Sequence, residues 1–129
     1  VGDDDCRRAE EGLIRLMNDE PLAYVLGEWD FYGNTYKVGE GVLIPRPETE
    51  ELCTLVLSEL KNIAEPTVID LCSGSGCIGL TVKSNIPDAT VFLVEKSRDA
   101  IRYLIENANT VWMRFGVSFG RYAVLVNFW

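Results

Sequence analysis

The sequence predicts an α/β protein built on a parallel βαβ unit, with a helix and a β-hairpin ahead of it. Three observations carry the prediction. Two short apolar runs, residues 67–72 and 90–95, have the length and β-branched content of strands. Residues 76–85 and 98–109 follow them with helical spacing, and Ser97 stands where a helix N-cap belongs. A glycine-rich turn, SGSG at 73–76, joins the first run to its helix. Consecutive strands linked by a crossover helix pair in parallel with a right-handed connection, and such sheets bind ligands beyond the carboxyl ends of their strands.

The elements follow in chain order. Cys6, Ala9, Leu13, Leu16 and Met17 recur at helical spacing, with Arg7, Arg8, Glu10, Glu11 and Arg15 on the other face, so residues 1–20 form a helical segment that Pro21 ends. One helix cannot bury its own stripe, so it packs on the domain or belongs to a larger bundle. Residues 21–47 read as a hairpin linker: EWDFYGNTYKVGEGVLI alternates aromatic and polar positions around a GN turn and a GEG turn. Arg46, between two prolines, is extended, and Pro47 suits the first turn of the next helix. Glu48, Glu50 and Glu51 suit that helix's positive end as dipole partners or serve as ligands, and Leu52, Leu55, Val56, Leu60 and Ile63 form its expected buried stripe. Residues 48–109 hold this helix and the βαβ unit.

Composition bounds the function. A chain of 129 residues makes one modest domain, and 47% hydrophobic with 25% charged residues is ordinary for a soluble globular protein. No run reaches the roughly 18–20 apolar residues of a membrane span. Val1 leaves any upstream targeting segment unread. A net charge of −8 disfavours direct nucleic-acid binding, which needs clustered Lys and Arg. The absence of histidine removes the usual general base and the Ser–His and Cys–His dyads. Cys6, Cys53, Cys72 and Cys77 match no zinc spacing, so no metal is expected, and they read as free thiols in a reducing compartment.

The chemistry concentrates at TVIDLCSGSGCIG, residues 67–79. Gly74, Gly76 and Gly79 spell GxGxxG, a weak dinucleotide signal. A pyrophosphate wants bare amides and positive potential, which the carboxylate of Asp70 opposes. S-adenosylmethionine (SAM) carries a sulfonium and an ammonium instead. Asp70 can complement those cations, and Glu95, at the end of the second strand, can accept the ribose hydroxyls. A dinucleotide-binding domain of the NAD type stays open as the alternative.

The stretch NDEPLAYVLGEWDFYGNTYKVGEGVLIPRPETEEL followed by VIDLCSGSGCIGL closely resembles the HemK-type glutamine methyltransferases that modify peptide chain release factors, over about residues 7–109. IPRPETE combined with the glycine loop is the specific part. The resemblance implies a partial Rossmann-like, SAM-dependent methyltransferase fold, with residues 48–109 as the N-terminal half of its SAM-binding domain. Cys72, Ser73, Gly74, Ser75 and Gly76 would line the cofactor, and Glu95 would take the ribose position that the family commonly fills with Asp. It further implies methyl transfer to the glutamine side-chain amide of a GGQ tripeptide in a release factor, in the cytoplasm or mitochondria. Residues 1–20 would be the remnant of a helical substrate-recognition domain. The family grips the amide with an NPPY motif, which this sequence lacks, so no catalytic residue is assigned and the chain alone is expected to be inactive. A non-catalytic fragment that binds SAM or a partner is the companion reading. Related enzymes methylate amino groups of nucleic-acid bases, which the acidic charge and IPRPETE disfavour.

Residues 110–129 depart from the family pattern. They hold six of the 13 aromatic residues and none of the 20 acidic ones. A shifted reading frame or alternative transcript is the expectation, with an ordinary buried strand pair as the rival. So apolar a tail, if exposed, favours self-association.

Overall fold

A computed structural model of the chain describes residues 2–115 and 122–126. Helix α1 spans Asp3–Met17, with Asp3, Asp4 and Asp5 in the first turn where the helix dipole favours acids. It buries none of its residues: Leu13 and Ile14 are each 59% exposed and Met17 is 83% exposed. The short α2, Leu22–Leu26, lies against it and ends at Gly27, whose φ of 75° only glycine adopts freely. Arg15 ties the pair, donating to the Tyr24 carbonyl at 3.1 Å and the Val25 carbonyl at 3.4 Å while holding Glu20 in an ion pair.

Strands β1, Glu28–Phe31, and β2, Asn34–Lys37, form the expected hairpin. The turn is displaced by one residue from the expected GN position. Tyr32 (φ 49°) and Gly33 (φ 76°) occupy its centre and Asn34 opens β2, a two-residue loop of the I′ type that matches strand twist. Tyrosine is a costly occupant of that conformation. Its amide is held by the Glu50 carboxylate at 2.7 Å, and its hydroxyl lies 3.1 Å from Thr54 Oγ1. Glu50 therefore serves the hairpin as well as its own helix. Phe31 and Tyr36, each 1% exposed, meet edge-to-face with ring centroids 6.3 Å apart. Burial pushes the Tyr36 hydroxyl up to about 12, and its partner is Thr81 Oγ1 at 3.0 Å.

Helix α3, Thr49–Leu60, corrects the expected apolar stripe. Cys53 is fully buried, with Val56 and Leu60 packed beside it, whereas Leu52, Leu55 and Ile63 are 48%, 65% and 53% exposed. The helix is covered on one flank by the neighbouring crossover helix, so only the row 53–56–60, spaced by three and four residues, faces the core.

The βαβ unit forms as expected. Strand β3, Thr67–Leu71, leads through the glycine loop into α4, Cys77–Asn85, then into β4, Thr90–Glu95, and α5, Arg98–Phe115. Residues 110–115 of the divergent tail continue α5, and β5, Tyr122–Val126, adds a third parallel strand rather than a strand pair. The rest of the tail, with its expected self-association, lies outside the described residues. The sheet order is β3-β4-β5, all parallel, with Asp70 level with Leu93. Val91 and Leu93 point to the helical face and are buried beneath α4 and α5 with Leu80, Val82 and Leu104. Ile69 and Leu71, on the other face of β3, are 61% and 69% exposed. Among the described residues β3 is an open edge with one bare face, where parallel strands are usually covered on both. The Lys83 ammonium, buried beneath the α4–β4 connection, donates to the Pro87 carbonyl at 2.8 Å and the Ala89 carbonyl at 2.6 Å. No helix among the described residues is long and apolar enough to cross a membrane.

Candidate functional site

At the carboxyl ends of β3 and β4 the chain reverses through residues 72–76. Cys72 (φ 60°), Gly74 (φ 56°) and Gly76 (φ 84°) all take left-handed backbone conformations, two of them at no steric cost and the cysteine at some. The reversal is fixed by hydrogen bonds on each side. Ser73 donates its amide to the Val94 carbonyl at 3.0 Å and its hydroxyl to the same oxygen at 3.3 Å, and Gly76 donates its amide to the Ser73 carbonyl at 2.7 Å.

The three glycines of GxGxxG do different work. A Cβ on Gly76 would sit 2.5 Å from Leu104 Cδ1, so the loop is pressed against α5 there. A Cβ on Gly79 would run into Leu93 and come within 3.0 Å of Asp70 Oδ2, which makes Gly79 the residue that lets α4 lie on the sheet. At Gly74 the nearest atom to such a Cβ is Val42 Cγ2 at 4.0 Å. Space stands open on that side of the loop.

Asp70 shares the helical face of β3 with Val68, and its Oδ2 accepts from the Gly79 amide at 2.9 Å, in the first turn of α4. Its carboxyl is held above the ordinary range. Burial is the first cause, the Gly79 amide works against it, and the negative charge of Glu95 adds to it. Glu95 accepts three backbone amides: Gly74 at 2.7 Å on Oε2, and Lys96 and Ser97 at 2.8 Å each on Oε1. A carboxylate offers about four lone-pair directions, so one on Oε2 remains for a further donor. The loop itself, Cys72 to Gly76, contributes no cationic side chain. The mouth is acidic.

The fold thus gathers Asp70, Cys72, Ser73, Gly74, Ser75, Gly76 and Glu95 at the carboxyl ends of β3 and β4. The side chains of Ser73 and Ser75 are buried, at 8% and 2% exposure, and turn into the protein, so the outward parts are the exposed Cys72 and the backbone at Gly74. Burial pushes the Cys53 and Cys77 thiols up to about 11 each, which keeps both uncharged behind the site. Two further contributors were not singled out from sequence. Asn107, 2% exposed on α5, reaches the Ser75 carbonyl at 2.9 Å. The segment 38–42 lies over α5: a Cβ on Gly39 would strike the Tyr103 hydroxyl, and one on Gly41 would sit 2.5 Å from Asp99 Cβ. The GEG spacing is the signal for that approach. A groove of about 740 Å³ between α1 and α2, lined by Leu13, Leu16, Leu22 and Val25 among others, includes none of these residues.

Comparison with known proteins places these features. The profile of the methyltransferase small domain family matches residues 48–122. The release factor glutamine methyltransferase of Thermodesulfovibrio yellowstonii is 47% identical over 97 residues, covering 74% of this chain and 35% of that protein. The enzyme of the same name from Neisseria gonorrhoeae is 40% identical over 114 residues, covering 88% of this chain and 41% of its own. The chain spans 35% of the length of the first of these relatives. Among solved structures, M. jannaschii TYW2 in complex with AdoMet superposes with a TM-score of 0.56 at 18% identity, over 77% of this chain and 42% of that one. The precorrin-6y C5,15-methyltransferase of Geobacter metallireducens does so with a TM-score of 0.52 at 14% identity, over 72% of this chain and 44% of that one. At these identities the likeness is one of fold, the Rossmann-like fold of SAM-dependent methyltransferases.

Proposed function

Since the chain belongs to the methyltransferase small domain family, we propose that it carries the SAM-binding part of an enzyme that methylates the glutamine side-chain amide of a peptide chain release factor. The observation that carries the cofactor assignment is that Asp70 on β3 and Glu95 at the end of β4 brace the start of α4 and the glycine loop respectively, and that loop carries no cation. Two carboxylates at the same end of the sheet disfavour a pyrophosphate and favour a ligand that is itself positive. The open space at Gly74 admits that ligand to the backbone.

When bound, the cofactor supplies an electrophilic methyl group on a cationic sulfur. The residues of this chain bind and orient. Glu95 would offer its remaining Oε2 lone pair to a ribose hydroxyl, while its three bonds to the Gly74, Lys96 and Ser97 amides fix the carboxylate and the loop together. Asp70, whose Oδ2 is fixed by the Gly79 amide, would offer Oδ1 to the ligand's cation. The backbone from Cys72 to Gly76 would line the methionine portion. An amide nitrogen is a weak nucleophile, and its methylation depends on acceptors that grip the NH2 and aim it. The sequence contains no NPPY, so these 129 residues bind cofactor and transfer no methyl group unaided. The bare apolar side of α1 supports reading residues 1–20 as part of a helical domain that meets the release factor. The free thiols suit a reducing compartment, cytoplasmic or mitochondrial.

Calorimetric titration of the purified chain with SAM and, separately, with NADH tests the assignment. Saturable SAM binding with NADH at least tenfold weaker is expected. NADH binding tighter than SAM would reverse it.

A further inference from the structure

Asn107 stands on α5, ten residues beyond Ser97, and is 2% exposed. Its side chain makes three bonds to backbone atoms of two distant segments. Oδ1 accepts from the Lys37 amide at 2.6 Å, and Nδ2 donates to the Lys37 carbonyl at 3.0 Å and to the Ser75 carbonyl at 2.9 Å. Toward β2 it thus behaves as a strand partner would, supplying one donor and one acceptor to a single residue. Its second N–H is spent on the glycine loop, between the two left-handed glycines. Only a carboxamide carries one acceptor and two donors in a flat fork. Aspartate offers the same shape without donors, and leucine the same bulk without polarity.

The consequence follows from connectivity. The Ser75–Gly76 peptide is held on both sides, its carbonyl by Asn107 and its N–H by the Ser73 carbonyl at 2.7 Å. The hairpin end at Lys37 hangs on the same side chain. We infer that Asn107 is a positioning residue that couples the seating of the β1–β2 hairpin to the shape of the cofactor loop. Neither the fold comparison nor the acidic mouth requires this coupling, although its effect on cofactor binding rests on the SAM reading above.

The test has two readouts, one of them independent of any ligand. In the ligand-free protein, maleimide labelling of Cys72 is compared with that of Cys6, the other exposed thiol, in the same molecule. Asn107→Asp should raise the Cys72 to Cys6 rate ratio about fivefold or more, since it leaves the Lys37 and Ser75 carbonyls without their donor and loosens the loop. An unchanged ratio overturns the inference. Calorimetry with SAM then compares Asn107→Asp with Val111→Ala, a buried position one turn further along α5, at a temperature where both variants are folded by circular dichroism. Asn107→Asp should weaken SAM about tenfold while Val111→Ala stays within about twofold. Equal weakening in both would assign Asn107 to general stability and overturn the coupling. Failure of the wild-type chain to bind SAM would sink the cofactor reading and leave the labelling arm standing. Should Asn107→Asp not fold, hydrogen exchange on the wild type decides: the Lys37 amide should be protected as strongly as those of α5, and exchange at an open-loop rate would refute its attachment.

Discussion

Replacing Asp70 by asparagine isolates the charge on which the cofactor assignment rests. The substitution is isosteric, and the new side-chain oxygen can still accept from the Gly79 amide at 2.9 Å, so the start of α4 keeps its partner. What disappears is a carboxylate that burial and Glu95 both hold above the ordinary range. Two effects of opposite sign follow. In the ligand-free chain, a raised carboxyl means that the native state keeps its proton after the unfolded state has lost it, so wild-type stability falls as pH rises through a window starting near the ordinary value of 3.8 and extending upward. The Asp70→Asn chain lacks that decline, and its urea midpoint at pH 7 should equal or exceed the wild-type value. Cofactor affinity runs the other way. A bond between an ionised group and its partner contributes about 1.5–3 kcal/mol, so Asp70→Asn should weaken SAM by about tenfold to 150-fold at pH 7. In the wild type, affinity should rise with pH across the same window in which stability falls. Calorimetry and urea titrations at matched pH read both quantities. Wild-type SAM affinity that Asp70→Asn leaves unchanged, or that ignores pH across the window, would refute the role of the charge.

Other consequences are sharper in stability and reactivity. Gly79→Ala drives a methyl group into Leu93 and to 3.0 Å from Asp70 Oδ2, so it should destabilise the chain by about 1–3 kcal/mol in urea unfolding. Glu95→Gln leaves one acceptor oxygen where two served three amide donors, so its NH2 must oppose either Gly74 or Lys96 and Ser97, which should cost about 1–3 kcal/mol of stability, with a matching loss of SAM affinity by calorimetry. Alkylation followed by mass spectrometry should modify Cys6 and Cys72 in the native chain, and reach Cys53 and Cys77, whose thiols are raised to about 11, only in denaturant. Saturating SAM should protect Cys72 and leave Cys6 unaffected; equal protection of both would place the ligand elsewhere.

The parts of the fold that were legible in the sequence are those written in local pattern. Strand, glycine turn and helix between 67 and 95 follow from period and from glycine, and each boundary falls within a residue of its expected place. Helix α3 shows where pattern fails. Its apolar residues fill more than one face, and which row is buried was decided by the flank that α4 occupies, a tertiary fact absent from residues 49–60. The hairpin turn slipped by one because a tyrosine in a left-handed conformation is unfavourable on its own and is held there by Glu50, 18 residues away. Asn107 was invisible for a related reason: an amide on a charged helix reads as a surface residue, and its partners lie 32 and 70 positions distant.

These long-range bonds bear on why the loop can bind at all. Three left-handed residues within five would be costly to hold open in an isolated segment, and a ligand that had to impose them would spend its affinity on ordering. Here the conformation is assembled in advance from four directions: Val94 on Ser73, Glu95 on Gly74, Asn107 on Ser75 and Leu104 against Gly76. Glu95 is thus the brace of the loop and, in the proposed function, would also be the acceptor for the ribose. Its length matters for the first, since the carboxylate must span from the end of β4 to the Gly74 amide while also capping Lys96 and Ser97. Glu95→Asp should then separate the duties. The shorter side chain keeps an acceptor at the strand end but withdraws from Gly74, so hydrogen exchange at the Gly74 amide should quicken while SAM affinity falls less than in Glu95→Gln. A Gly74 amide equally protected in both chains would show that the brace lies elsewhere in the loop.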